Sequence, residues 1–229
     1  MTTSTRLWLV RHGQSLWNAQ GRVQGQSGTG LSPLGHRQAG AAAKWLAATI
    51  DHASVVSSDL TRAHETAIPI AAALGVDVEL DPAVRERSFG SWEGQTPAEL
   101  DARGDGLWQQ WMRVAASPVH GNDVVTRVGG ESDTALVQRV VPALRAHAGR
   151  AADRGADVVV VTHGGTIWHG LHGLLDLPPL TLGAVGNASI ATLLFADDRV
   201  FLDQYNSQAH IEPEERTTFR PRESGAGED

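Results

Sequence analysis

Apolar positions recur along the chain with two periods. Arg6-Leu-Trp-Leu-Val10 is a short, nearly continuous apolar run, which predicts a parallel strand buried on both faces. Ala53–Ser57, Val76–Leu80 and, most clearly, Ala156–Thr162 predict further strands. The segments between them change to the helical period. Ser32 and Pro33 supply an N-cap and a first-turn proline for a helix running to about Ile50, with Leu34, Ala42, Trp45, Leu46 and Ile50 mostly on one face. Ser58 or Asp59 is expected to cap a second helix that ends near Gly75. Leu136, Val140 and Leu144 predict a helix over Glu131–Ala152, in which Pro142 should make a bend or mark the first regular turns. Gly164-Gly165 opens a last helix that stops before Pro178-Pro179. Ala188–Phe195 and Val200–Tyr205 alternate around Asp197-Asp198 as a terminal hairpin would.

Strands alternating with helices predict an α/β fold. It is read as a three-layer sandwich with a mostly parallel central sheet, helices on both faces and an antiparallel C-terminal edge hairpin. A single domain is expected over residues 1–206. Residues 82–130 are irregular and rich in Gly, Pro and Trp, with short helices near Pro97–Ala102 and Leu107–Ala115, and read as a cover over an active site. Residues 207–229 are polar and charged, and are expected to be disordered.

Composition narrows the function classes. With 229 residues, the chain can enclose a full hydrophobic core. A formal net charge of -7 argues against a general nucleic-acid binder, which needs a basic face. There are no cysteines, so disulfides, thiol nucleophiles and cysteine-ligated metals are excluded. No apolar run is long enough to span a bilayer, and a soluble, cytoplasmic protein without a membrane partner is expected.

The chemistry gathers at strand ends. Ligands of open parallel sheets bind outside the carboxyl ends of the strands. The first strand runs into Arg11-His12-Gly13, the second into a helix whose first turn holds Arg62, and the Ala156–Thr162 strand into His163-Gly164-Gly165. Two arginines and two histidines would thus meet at one edge. Arginine's planar fork matches a phosphate dianion, and a neutral imidazole with one free nitrogen is a nucleophile. Arg62 is the most telling of the four. A cation in a first helical turn opposes the dipole at a cost of about 0.3–1 kcal/mol, and a bound anion would reverse the sign.

Five segments in this order resemble the histidine phosphatase superfamily, also called the phosphoglycerate-mutase-like family. They are Leu9–Asn18, Ser57–Ala63, Arg85–Gly94, Gly129–Ser132 and Thr162–Gly165. The resemblance implies that His12 is the nucleophile that becomes phosphohistidine, with Arg11, Arg62 and His163 on the transferring phosphoryl oxygens and Asn18 as a polar contact. It implies that Glu86 is the general acid and then the base, with Glu93 as its rival. Gln24, Arg113 and Gly164 are candidate substrate-binding residues. The implied activity needs no metal or cofactor and acts on a small phosphorylated metabolite. Sugar phosphates, phosphoglycerate derivatives, nucleotide phosphates and phosphoserine all suit the pocket. The chain departs from the family at His64-Glu65, where a glutamine usually stands second, and in the loop Gln24–Leu31, which lacks an acidic residue.

Three rivals have features of their own. A cofactor-dependent phosphoglycerate mutase would use the same His12, but the covering region shows no paired arginines, and Phe89–Gly94 is closer to the phosphatase branch. His169 and His172 stand at i, i+3 on one predicted helix, a spacing that can bind zinc. A non-catalytic phospho-ligand sensor predicts a damaged nucleophile or acid, whereas His12 and Glu86 are both present. An edge hairpin can pair two subunits, so a homodimer is left open.

Overall fold

The structure is a computed structural model that describes residues 4–115, 123–178 and 180–217. Six strands form one sheet: β1 (Ser4–Arg11), β2 (Ala53–Ser57), β3 (Val78–Leu80), β4 (Asp157–Thr162), β5 (Ile190–Ala196) and β6 (Arg199–Ser207). Their order is β3-β2-β4-β1-β5-β6. β1, β2, β3 and β4 are mutually parallel, while β5 runs antiparallel to β1 and β6 antiparallel to β5. The fold is therefore α/β with a mostly parallel sheet and an antiparallel edge hairpin.

The near-continuous apolar runs have the cause expected of them, since both sheet faces are covered. Leu7 and Leu9 of β1, with Val158 and Val160 of β4, pack with Leu136, Val140 and Leu144 of α6 (Asp133–Ala152) and with Ile167 and Leu171 of α7 (Gly164–Leu175). Trp8, Val10, Val159 and Val161 point the other way. They meet Ala42, Ala43 and Leu46 of α2 (Pro33–Thr49) and Ala63, Ala67 and Ile70 of α3 (Thr61–Leu74). Each fully buried Leu, Ile or Val in these layers stabilises the fold by about 1.5–3 kcal/mol relative to exposure. No helix of the described residues is long and apolar enough to cross a membrane.

Between Pro82 and Val128 the described chain forms short helical turns and two helices, α4 (Pro97–Asp101) and α5 (Leu107–Ala115). This region shares a small core with Val23 of the loop before α2, in which Val23, Trp92, Leu100, Trp108, Val124 and Val125 are buried. Trp92 meets Trp108 edge-on at 5.5 Å, and Trp108 stacks on Trp111 at 5.1 Å. Here the tryptophans supply the apolar area that irregular backbone cannot.

Several details differ from the sequence reading. β3 starts at Val78 because the chain leaves α3 through a left-handed Gly75 and pairs only along Val55–Ser57. α6 starts at Asp133, two residues after the expected start, and Pro142 lies inside it as expected. Neither Ser58 nor Asp59 caps α3. Leu60 stands at the N-cap without a side-chain bond, because Ser58 faces His163 and the Asp59 carboxylate is taken by Arg85. The tail also differs from its expected disorder over residues 208–217. Ile211 is buried there, and Gln38 Nε2 donates to the Glu215 carbonyl at 2.6 Å. Residues 218–229, 116–122 of the cover and Pro179 lie outside the described residues.

Candidate active site

The site is built where β1, β2 and β4 end. Leaving β1, the chain is pinned by backbone bonds from Arg11 N–H to the Ser189 carbonyl at 3.0 Å and from His12 N–H to the Thr162 carbonyl at 2.9 Å. Gly13 N–H donates to Thr66 Oγ1 of α3 at 3.0 Å, and Gln14 N–H to Gln38 Oε1 of α2 at 2.8 Å. The loop after His12 is thus tied to both helices of one layer.

His12 is buried, with Nδ1 2.7 Å from its neighbour's carbonyl, Gly13 O. A carbonyl only accepts, so Nδ1 carries the hydrogen and Nε2 keeps its lone pair. Burial, and then the Arg62 and Arg11 cations, push the imidazole well below its ordinary 6.5, so the ring is neutral near pH 7. Arg62 Nε lies 3.3 Å from His12 Nε2, and the same guanidinium donates to the Gly25 carbonyl at 2.7 Å and the Ser27 carbonyl at 3.0 Å. Arg11 Nη1 donates to the Val185 carbonyl at 2.6 Å, and its buried Nε has no partner among the described residues. Burial lowers both arginines to about 10 against the opposing pull of Glu86, which leaves both as cations at neutral pH.

His163 lies with its ring centroid 5.2 Å from that of His12. It too is held neutral, first by burial and then by Arg62, His12, Arg11 and Arg139. Glu86 joins the cluster from the covering region. Its Oε2 accepts Gly165 N–H at 2.9 Å and its Oε1 accepts Arg87 N–H at 3.0 Å. A Cβ on Gly165 would run into Glu86 Oε1, so glycine is needed for the carboxyl to reach the start of α7. Gly164 lies against Arg11, whose Nε would be 3.3 Å from an added Cβ.

Glu93 is held differently. Its carboxylate accepts Phe89 N–H, Gln26 N–H, Ser27 N–H and the Ser88 hydroxyl. Burial pushes its carboxyl up, but the bonds from Ser27, Gln26 and Phe89 together hold it below the usual carboxylate range. It organises the loop whose carbonyls meet Arg62.

The other sequence candidates divide. The Asn18 oxygen accepts Ser15 N–H at 3.2 Å and Asn187 Nδ2–H at 3.3 Å, a short step from His12 through Asn187. Gln24 is buried, accepts the Ser15 hydroxyl at 2.7 Å, and flanks Gly28 together with Arg62. Arg113 is exposed on α5, and the described contacts do not bring it to the cluster. His169 and His172 face separate partners, Arg87 Nη2 at 3.1 Å and the Trp168 carbonyl at 2.8 Å. No group of three or more His, Asp or Glu among the described residues is arranged to hold a metal ion. Sequence reasoning missed Ser58, Gly165 and Asn187. The Gly164-Gly165 doublet was a visible signal for one of them, whereas Asn187 reaches the His12 carbonyl across 175 residues with no local signal.

Two buried arginines, two neutral histidines and a carboxyl thus meet at the carboxyl edge of the parallel strands, an arrangement whose chemistry suits an oxyanionic group. The chain belongs to the histidine phosphatase superfamily (branch 1), whose family model matches residues 7–208. It is 38% identical to glucosyl-3-phosphoglycerate phosphatase of Mycolicibacterium vanbaalenii, over 90% of this chain and 96% of that one. It is 33% identical to metal-independent phosphoserine phosphatase of Arabidopsis thaliana, over 90% and 83% of the two chains. Among solved structures, mycobacterial glucosyl-3-phosphoglycerate phosphatase in complex with VO3 superposes with a TM-score of 0.76 at 34% identity, covering 89% of this chain and 99% of that one.

Proposed function

We propose that this enzyme hydrolyses a small phosphomonoester without a metal, through a phosphohistidine at His12. The observation that carries this reading is the 2.7 Å contact of His12 Nδ1 with the Gly13 carbonyl, which assigns the hydrogen to Nδ1 and leaves Nε2 as a lone pair beside Arg62. Nε2 attacks phosphorus as the bond to the leaving oxygen breaks, and that oxygen takes the proton of Glu86. Arg11, Arg62 and the His163 ring stabilise the phosphoryl oxygens, so positioning and electrostatics supply most of the rate. The Gly13 carbonyl offsets the positive charge that the phosphorylated ring acquires. The Glu86 carboxylate then takes a proton from water, whose oxygen attacks phosphorus while the N–P bond breaks. Neutral His12 and protonated Glu86 are restored.

The substrate we favour is a phosphorylated sugar-acid conjugate of the glucosyl-3-phosphoglycerate kind. The support is similarity over nearly the full length of relatives that carry this name. The test is phosphate release in excess EDTA from a panel holding glucosyl-3-phosphoglycerate, 3-phosphoglycerate and phosphoserine. Wild type is expected to turn over, with the first substrate best, and His12→Ala is expected to show neither turnover nor acid-labile labelling. A His12→Ala enzyme with near-normal turnover would sink the mechanism. Isomerisation of 3-phosphoglycerate without net release would make the chain a mutase.

A further inference from the structure

One ring nitrogen of His163 is engaged and the other is not. Nε2 lies 2.9 Å from Ser58 Oγ, while buried Nδ1 has no hydrogen-bond partner among the described residues. A neutral imidazole has one N–H and one bare nitrogen, so its tautomer decides what the free nitrogen offers. A phosphoryl oxygen only accepts, and a bare Nδ1 facing it would repel it.

Ser58 has one hydroxyl hydrogen to place. Its oxygen accepts Leu60 N–H at 3.3 Å, and His163 Nε2, at 2.9 Å, is the acceptor in reach of that hydrogen. Ser57 does not compete, because its hydroxyl donates to the Ser58 carbonyl at 2.8 Å. The distance between Ser58 and His163 is set by the sheet. Ser57 pairs with Val161 across β2 and β4, and Ser58 N–H donates to the Val161 carbonyl at 2.9 Å.

We propose that Ser58 is a positioning residue, whose hydroxyl donates to His163 Nε2 and fixes the ring as the neutral Nδ1–H tautomer. The nitrogen left to meet a phosphoryl oxygen is then a donor. This inference rests on the phosphoryl reading of the pocket given above. A doubly protonated ring would also donate, but Arg62, His12, Arg11 and Arg139, the charged or titratable groups acting on it, all oppose a second proton. Ser58 thus adds an N–H to the pocket without adding a cation.

The test is 15N NMR of histidine-labelled protein near neutral pH, with His163 assigned from a His163→Gln variant. Wild type is expected to show a protonated Nδ1 and a bare Nε2 at His163. Ser58→Ala is expected to lose that pattern and about tenfold in kcat, the upper range of one hydrogen bond's usual net worth. Ser58→Thr should keep the tautomer. A bare Nδ1 or an imidazolium in wild type overturns the inference, as does Ser58→Ala with the Nδ1–H form and full kcat. If Ser58→Ala does not fold, the wild-type tautomer alone decides. Failure of the phosphohistidine reading would show separately, as turnover by His12→Ala.

Discussion

Glu86 and Glu93 share one loop, and their hydrogen bonds fit them for different work. Both Glu86 oxygens accept backbone N–H groups, from Arg87 and Gly165, and the carboxyl faces the two buried arginines of the pocket. A carboxyl that reaches this pocket stands where an oxygen leaving phosphorus can take its proton, as a general acid requires. Glu93 accepts from several donors that prefer its ionised form, so giving up a proton is not its part. Leaving-group dependence separates the two roles. Glu86→Gln should lose about 10²–10⁴ in kcat/KM, which reads the transfer to His12 and not the later hydrolysis, on an alkyl monoester, the usual range for general acid catalysis, and far less on p-nitrophenyl phosphate, whose phenolate needs no proton. Glu93→Gln should instead weaken both substrates alike, because it loosens the loop that holds Arg62. The reverse pattern, with Glu93→Gln sensitive to the leaving group, would make Glu93 the acid.

At the level of elements, the segment after β6 holds the backbone behind His12. The His12 carbonyl accepts Ala188 N–H at 3.1 Å and Asn187 Nδ2–H at 3.2 Å. Residues 208–217 grip those two residues. Asn187 N–H donates to the Thr217 carbonyl at 2.8 Å, Gln208 Nε2 to the Asn187 carbonyl at 2.9 Å, and His210 Nε2 to the Ala188 carbonyl at 2.9 Å. Ala188 is held at φ 50, a left-handed conformation that costs a non-glycine residue about 1–3 kcal/mol, so the grip works against strain. Asn187→Ala should lower kcat about tenfold with KM little changed, since a lost buried hydrogen bond costs about 1–3 kcal/mol and no arginine is touched. Unaltered kcat in steady-state assays would reduce the segment to a cover for the sheet edge. This element was not legible in the sequence. Its composition around Glu212-Pro-Glu-Glu-Arg216 is that of a solvated tail, and apart from Ile211 it is held mainly by hydrogen bonds, which leave no periodic trace. The strands and helices were legible because burial on two faces writes an apolar pattern, and β1 and β4 end directly in Arg11-His12 and His163. Glu86 was placed by its motif alone, since a carboxylate between Arg85 and Arg87 reads equally well as a surface ion pair.

Over the whole molecule, the α/β sandwich buries two histidines that stay uncharged, and this links the site to global stability. Both rings are held well below their ordinary 6.5, chiefly by burial. As pH falls below 6.5, the unfolded chain takes up protons that the folded protein refuses, so stability is complete above 6.5 and falls on acidification. The limiting slope is about 1.4 kcal/mol per pH unit for each histidine. The half-buried carboxylates Asp59 and Glu93 do not blur this window. Asp59 is held below its ordinary 3.8, chiefly by Arg85, and Glu93 below its ordinary 4.5. Their contribution is present above those values and is lost only as pH falls through the lowered ones. Between about pH 5 and 6.5 the histidines therefore set the slope, with a smaller part from His210, which burial also lowers. Denaturant unfolding of the wild type should show stability dropping steadily across that interval. In His12→Ala the drop should be shallower by one histidine's share, because one refused proton has been removed. An unchanged slope would mean that the folded protein accepts a proton at His12, which is incompatible with a neutral nucleophile poised between two arginines.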